Sequence, residues 1–139
     1  MTAAIEPQGW IAIDLDGTLA EYNGWISEEH IGQPIPAMVE RVQAWLAQGQ
    51  DVRIFTARVN DTLPLKAVAP FDTKQPATVW VRRDQRVRAI IETWCVAHIG
   101  QVLPITNCKD YAMLELWDDR AVQVEANTGR LIGRSTRGL

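Results

Sequence analysis

Short apolar runs alternate with stretches of helical period along most of this chain. Trp10 to Leu15 (WIAIDL) is short, apolar and β-branched and leads directly into Asp16-Gly17, which predicts a buried parallel strand ending in a loop. Glu21 to Pro36 carries Asn23-Gly24, Gly32, Pro34 and Pro36 and reads as loop or a short hairpin. From Pro36 onward Met38, Val39, Val42, Trp45 and Leu46 recur at helical spacing, with Gly49 as the stop. Val52 to Thr56 (VRIFT) is the next strand. Asn60 to Thr78, with Pro64, Pro70 and Pro76 and no period, reads as an irregular insertion. Asp84 is placed to cap a helix whose Val87, Ile90, Ile91, Trp94, Cys95 and His98 share a face, closed by Gly100. Val102 to Thr106 and Met113 to Trp117 read as two further buried strands. Ala121 to Glu125, the turn Asn127-Thr128-Gly129, and Leu131-Ile132 predict a C-terminal hairpin.

Strands alternating with helices imply an α/β fold: a three-layer, Rossmann-like, mostly parallel sheet with helices on both faces and right-handed crossovers. At 139 residues, the chain has room for a single domain, 1–139. Its 47% apolar and 22% charged residues are ordinary for a soluble protein, and a net charge of -3 gives no general attraction to nucleic acid or anionic membrane. Cys95 and Cys108 form neither a metal spacing nor a disulfide framework, which points to a reducing cytoplasm. Met1 to Gln8 lacks the basic and apolar regions of a signal peptide, and the richest apolar stretch, Val87 to Thr106, is interrupted by Arg88, Glu92, His98 and Gln101. The six tryptophans are spread along the chain and read as core packing.

In open α/β sheets ligands bind beyond the carboxyl ends of the strands, and each predicted strand here ends in polar chemistry. The first ends in Asp14-Leu15-Asp16-Gly17-Thr18, the second in Thr56-Ala57-Arg58, the third near Asn107-Cys108-Lys109, the fourth in Asp118-Asp119. Carboxylates packed this closely repel one another, a conflict that a divalent cation resolves; hard oxygen ligands suit magnesium. Lysine and threonine add the positive charge and hydroxyl that a phosphoryl group needs.

The order DxDGT, strand-end Thr, Lys, then DD resembles the four signature motifs of the haloacid-dehalogenase superfamily, over about three quarters of the chain. The resemblance implies a phosphatase in which Asp14 attacks phosphorus and forms an aspartyl-phosphate. Asp16 would be the general acid and base, its pKa raised by a neighbouring carboxylate. Gly17 would let the chain turn beside the phosphate, with Thr18, Ala57 and Arg58 also toward substrate. Thr56 and Lys109 correspond to the phosphoryl-binding Thr and Lys. Magnesium would be held by Asp14, by Asp16 through its backbone carbonyl, by Asp118, and by Asp119 directly or through water. Lys109 precedes Asp118 by nine residues, where many relatives place a helix.

Blander readings stand beside these. Arg58 serves equally as a surface arginine, His30 as a plain loop histidine, and His98 as a partner for the carbonyl end of its helix. Cys108 reads as a small apolar residue, and Arg82, Arg83, Arg86 and Arg88 as a solvated basic face. A phosphorelay receiver is excluded by motif order, because there the acidic pair ends the first strand. A binding or scaffold protein with little turnover is the alternative. No gap is long enough for a folded cap domain, so the site should be open, covered by Glu21 to Pro34, by the insertion, or by a second copy in a homo-oligomer. The substrate is a small-molecule or macromolecular phosphate ester, nucleic acid entering only as substrate, with no membrane partner.

Overall fold

The computed structural model describes residues 9–62 and 77–133. The N-terminal stretch Met1 to Gln8 and most of the Asn60 to Thr78 insertion lie outside the described residues. The elements run β1 (Trp10–Asp14), α1 (Pro36–Ala47), β2 (Asp51–Phe55), α2 (Ala77–His98), β3 (Ile105–Thr106), β4 (Met113–Trp117), β5 (Gln123–Val124) and β6 (Leu131–Ile132). The first four strands form one sheet in the order β3-β2-β1-β4, with every neighbouring pair parallel. Asp14 is in register with Phe55 and Ile13 with Trp117, so the residues that follow β1, β2 and β4 emerge side by side at one edge. That edge carries the site. Asn127 (φ 65) and Gly129 (φ 76) make the turn that joins β5 to β6 as an antiparallel hairpin.

The period of two in β1 and β2 decides what each face meets. Ile11, Ile13, Val52 and Ile54 pack into one buried cluster with Met38, Val39 and Val42 of α1 and Val87, Ile91, Trp94 and Cys95 of α2. Each fully buried Ile or Val contributes roughly 1.5–3 kcal/mol. Both helices therefore lie on one face, which corrects, for the described residues, the expectation of helices on both faces. The physical reason is the strand order. The steps from β1 to β2 and from β2 to β3 run the same way across the sheet, and right-handed crossovers that step the same way keep their helices on the same side. The other face holds Trp10, buried under the guanidinium of Arg53 at 4.6 Å, its Nε1–H donating to Asp110 Oδ1 at 2.8 Å.

One helix start and one strand start move, and one strand expected to be buried is not. α2 begins at Ala77, so Thr78 belongs to the helix and Asp84 is inside it instead of capping it. The Asp84 carboxylate turns sideways, accepting the Asn60 N–H at 2.7 Å and Arg88 Nε–H at 2.7 Å. β3 is two residues long because Pro104 has no N–H to give the ladder, although its carbonyl accepts the Ile54 N–H at 2.9 Å. β4 has the expected bounds but is not buried: it is an edge strand, and Leu114 and Leu116 are exposed. Its last residue, Trp117, packs edge-on against Trp45 of α1 with ring centroids 5.2 Å apart. No helix among the described residues is long and apolar enough to cross a membrane.

Candidate metal and phosphoryl site

Asp14 closes β1, and the chain then turns sharply through Gly17 at φ +91. A Cβ at Gly17 would meet Asp119 Oδ2 at 2.5 Å, so glycine is what lets the carboxylate after β4 lie against the loop after β1. The Thr18 hydroxyl sits between the two: its Oγ1 is 3.5 Å from Asp14 Oδ2 and 3.3 Å from Asp119 Oδ1, and it accepts the Asp119 N–H at 3.0 Å. One threonine thus ties residues 14 and 119 together.

Asp14, Asp118 and Asp119 each offer a carboxylate oxygen within 4.8 Å of the others, close enough to share one cation. Burial, then the charge of Asp118, the hydrogen bond and charge of Asp119 and the charge of Asp16 push the Asp14 carboxyl up from 3.8 to about 7. The Asp16 side chain stands outside this trio. Both its oxygens are taken by Arg58, Nε–H to Oδ2 at 2.7 Å and an Nη2–H to Oδ1 at 2.8 Å, in the bidentate geometry that suits a guanidinium and a carboxylate. Of the expected magnesium set, the side chains of Asp14, Asp118 and Asp119 converge, whereas that of Asp16 is engaged elsewhere.

Arg58 is not a surface arginine. Its side chain is 6% exposed. Beyond Asp16 it donates to the carbonyls of Glu28 at 3.2 Å and His30 at 3.0 Å, and its guanidinium lies 4.9 Å from the Trp25 ring centroid. The His30 contribution is thus a backbone one. Trp94 Nε1–H donates to the Gly32 carbonyl at 3.0 Å, and Glu28 accepts hydrogen bonds from Arg83 and Arg86, so the 21–35 loop is tied to β2's end and to α2. Burial opposes the Glu28 charge, but those bonds outweigh it and hold the carboxyl below its usual range. Three members of the supposed solvated basic face are therefore engaged: Arg83 and Arg86 with Glu28, and Arg88 with Asp84, Asp61 and the Ile105 carbonyl. His98 packs against Trp94, with centroids 4.8 Å apart and the rings tilted by 55°. Burial pushes the Cys95 thiol up to about 11, so it stays a neutral packing group; Cys108 is exposed rather than a packed apolar residue.

These groups surround a cleft of about 850 Å³. Thr56, buried with its Oγ1 accepting the Arg58 N–H at 3.2 Å, lines it together with Asp14, Asp16, Ala57, Arg58, Asp118 and Asp119. Lys109 does not: it is exposed on the β3–β4 connection, and the residue of that segment that reaches the cleft is Asn107. Trp25 and Trp80, expected with the other tryptophans to be core packing, line the cleft instead. For Trp25 a signal existed, since a tryptophan amid Asn-Gly turn residues has no apolar period to join. Comparison with protein-family models, with curated proteins and with solved structures returns no match to this chain.

Proposed function

We propose that this protein is a magnesium-dependent phosphohydrolase of the haloacid-dehalogenase type that acts on a phosphate monoester, with Asp14 as nucleophile. One observation carries the reading: the carboxylates after two adjacent parallel strands converge within 4.8 Å, beside the strand-end hydroxyl of Thr56. The residues fit a divalent cation. Of the six carboxylates that line the cleft, Asp16, Glu28 and Asp84 are ion-paired with Arg58, Arg83 and Arg88. Asp14, Asp118 and Asp119 are instead pressed against one another, and a phosphate dianion meets repulsion from that trio unless a metal offsets it. When bound by Asp14, Asp118 and Asp119, magnesium supplies charge neutralisation and polarises the phosphoryl group.

The chain's own groups do the rest. Thr18 Oγ1 holds Asp14 Oδ2, leaving the other carboxylate oxygen to attack phosphorus as the P–O ester bond breaks. The leaving oxygen takes a proton from Asp16, whose oxygens must first be released in part by Arg58; Asp16 then takes the proton of the water that cleaves the aspartyl-phosphate. Thr56 donates to the transferring phosphoryl group. Arg58 and Arg120 provide the cationic charge that the motif order assigned to Lys109, which stands off the cleft.

The test is turnover of a panel of phosphate esters, with magnesium and with excess chelator. Activity is expected to vanish in chelator and return with magnesium; full activity in chelator sinks the proposal. The second reading, a phosphate-binding protein with little turnover, draws on the bidentate grip of Arg58 on Asp16, which holds both oxygens of the general acid. Tight phosphate binding without hydrolysis of any ester selects it.

A further inference from the structure

A metal ion and a phosphoryl group fill a small part of a cleft of about 850 Å³, a volume in the range that encloses a whole drug-sized ligand. Four aromatic side chains help to line the remainder: Tyr22, Trp25, Phe55 and Trp80. The two tryptophans come from different elements, the 21–35 loop and α2, yet each is backed in the same manner. Arg58 lies 4.9 Å from the Trp25 centroid and Arg83 lies 5.1 Å from that of Trp80. Both arginines also hold the loop, Arg58 through the Glu28 carbonyl and Arg83 through the Glu28 carboxylate. A ring with one face against a guanidinium has its other face left for a ligand, and its orientation is fixed before the ligand arrives.

The polar groups among these rings are specific in kind. Asn60 Oδ1 accepts the Thr62 N–H at 2.9 Å and Asn107 Oδ1 accepts the Asp61 N–H at 3.0 Å. With both oxygens committed, the amide NH₂ groups of Asn60 and Asn107 are among the donors that this wall offers. Flat aromatic walls joined to amide donors suit a planar ring with acceptor atoms on its edge. A plain sugar phosphate has no such ring, and a phenyl ester has no such edge.

We infer that the alcohol of the substrate ester is a nucleoside, so that the cleft takes a nucleoside monophosphate with its base against Trp25 and Trp80 and its phosphate toward Asp14. This deepens the phosphohydrolase proposal and rests on it for the phosphate end, while the base site stands on the tryptophans and the two amides.

Two measurements together decide it. With magnesium present, kcat/KM for adenosine or uridine monophosphate is expected to exceed that for ribose phosphate by about tenfold to a hundredfold, the range that stacking of one base supports. Trp80→Leu and Trp25→Leu should each lower that ratio, while Trp80→Phe, which keeps a flat face, should retain most of it. Independently of turnover, adenosine monophosphate should quench tryptophan fluorescence saturably in Asp14→Asn, and less so when Trp80→Leu is added. Equal efficiency on ribose phosphate with no quenching overturns the inference and leaves the phosphatase proposal standing. Saturable, Trp80-dependent quenching with no hydrolysis of any ester supports the base site and removes the phosphatase. A terminally phosphorylated oligonucleotide preferred over the mononucleotide overturns the choice of a free nucleotide.

Discussion

Asp61 and Asp84 share one guanidinium, that of Arg88, whereas Asp14 shares its corner of the same sheet edge with Asp118 and Asp119. In the first group burial opposes the charge of Asp61, but the Thr106 hydroxyl and Arg88 outweigh it and hold the carboxyl below its usual range. The group is built into the fold: Asn60 is fixed to Asp84, Asp61 to Asn107, and Arg88 to the Ile105 carbonyl at 2.8 Å, which together tie the end of β2 and the end of β3 to α2. In the second group burial and neighbouring carboxylates act together, and Asp14 is pushed up to about 7. Where acids serve the fold, the chain brings its own cation. Where it presses acids together instead, the proposed cation would supply the compensation.

The sharpest way to break this contrast is to neutralise one acid from each group. Asp14→Asn is expected to lower turnover by several orders of magnitude with folding intact, and Asp61→Asn to lower the thermal midpoint while leaving kcat within a few-fold. Ester-hydrolysis kinetics and thermal melts of the two variants check it, and near wild-type turnover of Asp14→Asn removes it as the nucleophile.

A smaller effect follows for the cation of the first group. Arg88→Met leaves two part-buried carboxylates without their guanidinium, at a cost of about 2 kcal/mol, in the range of hydrogen bonds to charged groups. Urea unfolding measures it. An unchanged unfolding midpoint would show that Arg88 is not what holds β3 to α2.

The smallest effect sharpens the contrast by pH. Because the folded protein raises the Asp14 pKa from 3.8 to about 7, it binds more protons than the unfolded chain between those values, and metal-free stability falls as pH rises through that window. Magnesium favours the ionised trio. The rise in melting temperature on adding magnesium should therefore be larger at about pH 8 than at about pH 5. A magnesium effect independent of pH would place its binding elsewhere.

Much of this was legible in the order of residues. The short apolar, β-branched runs at Trp10 to Leu15 and Val52 to Thr56 and the helical spacing after Pro36 mark those elements to within a residue or so, and the strand-end motifs name Asp14, Thr56 and Asp118-Asp119 as neighbours. Strand order is a different matter. Nothing local in the chain says that both crossovers step the same way, so the shared face of α1 and α2 and the exposed edge at β4 were out of reach. Long-range pairing also hid the charges: Arg58, read equally as a substrate ligand and as a surface group, meets Asp16 across 42 positions, and Arg83, read as solvated, meets Glu28 across 55. Lys109 shows the converse, a residue placed by motif order that the short β3–β4 connection leaves outside the cleft.

The pairing of β1 with β4 has a consequence for how this molecule comes into being. The first sheet strand of the described chain must wait for the fourth, with Trp10 joined to Met113 and Ile13 to Trp117, while β1, β2 and β3 can pair in the order they are made. Contacts that span so much of a chain close late, since the loop entropy is lost before the pairing rewards it. Asp118 and Asp119 are carried on that late strand, so the carboxylate trio is among the last features to assemble. A nascent or partly unfolded chain then has its core begun and Asp14 in place, but no carboxylate trio. The proposed chemistry would be withheld until the sheet is complete.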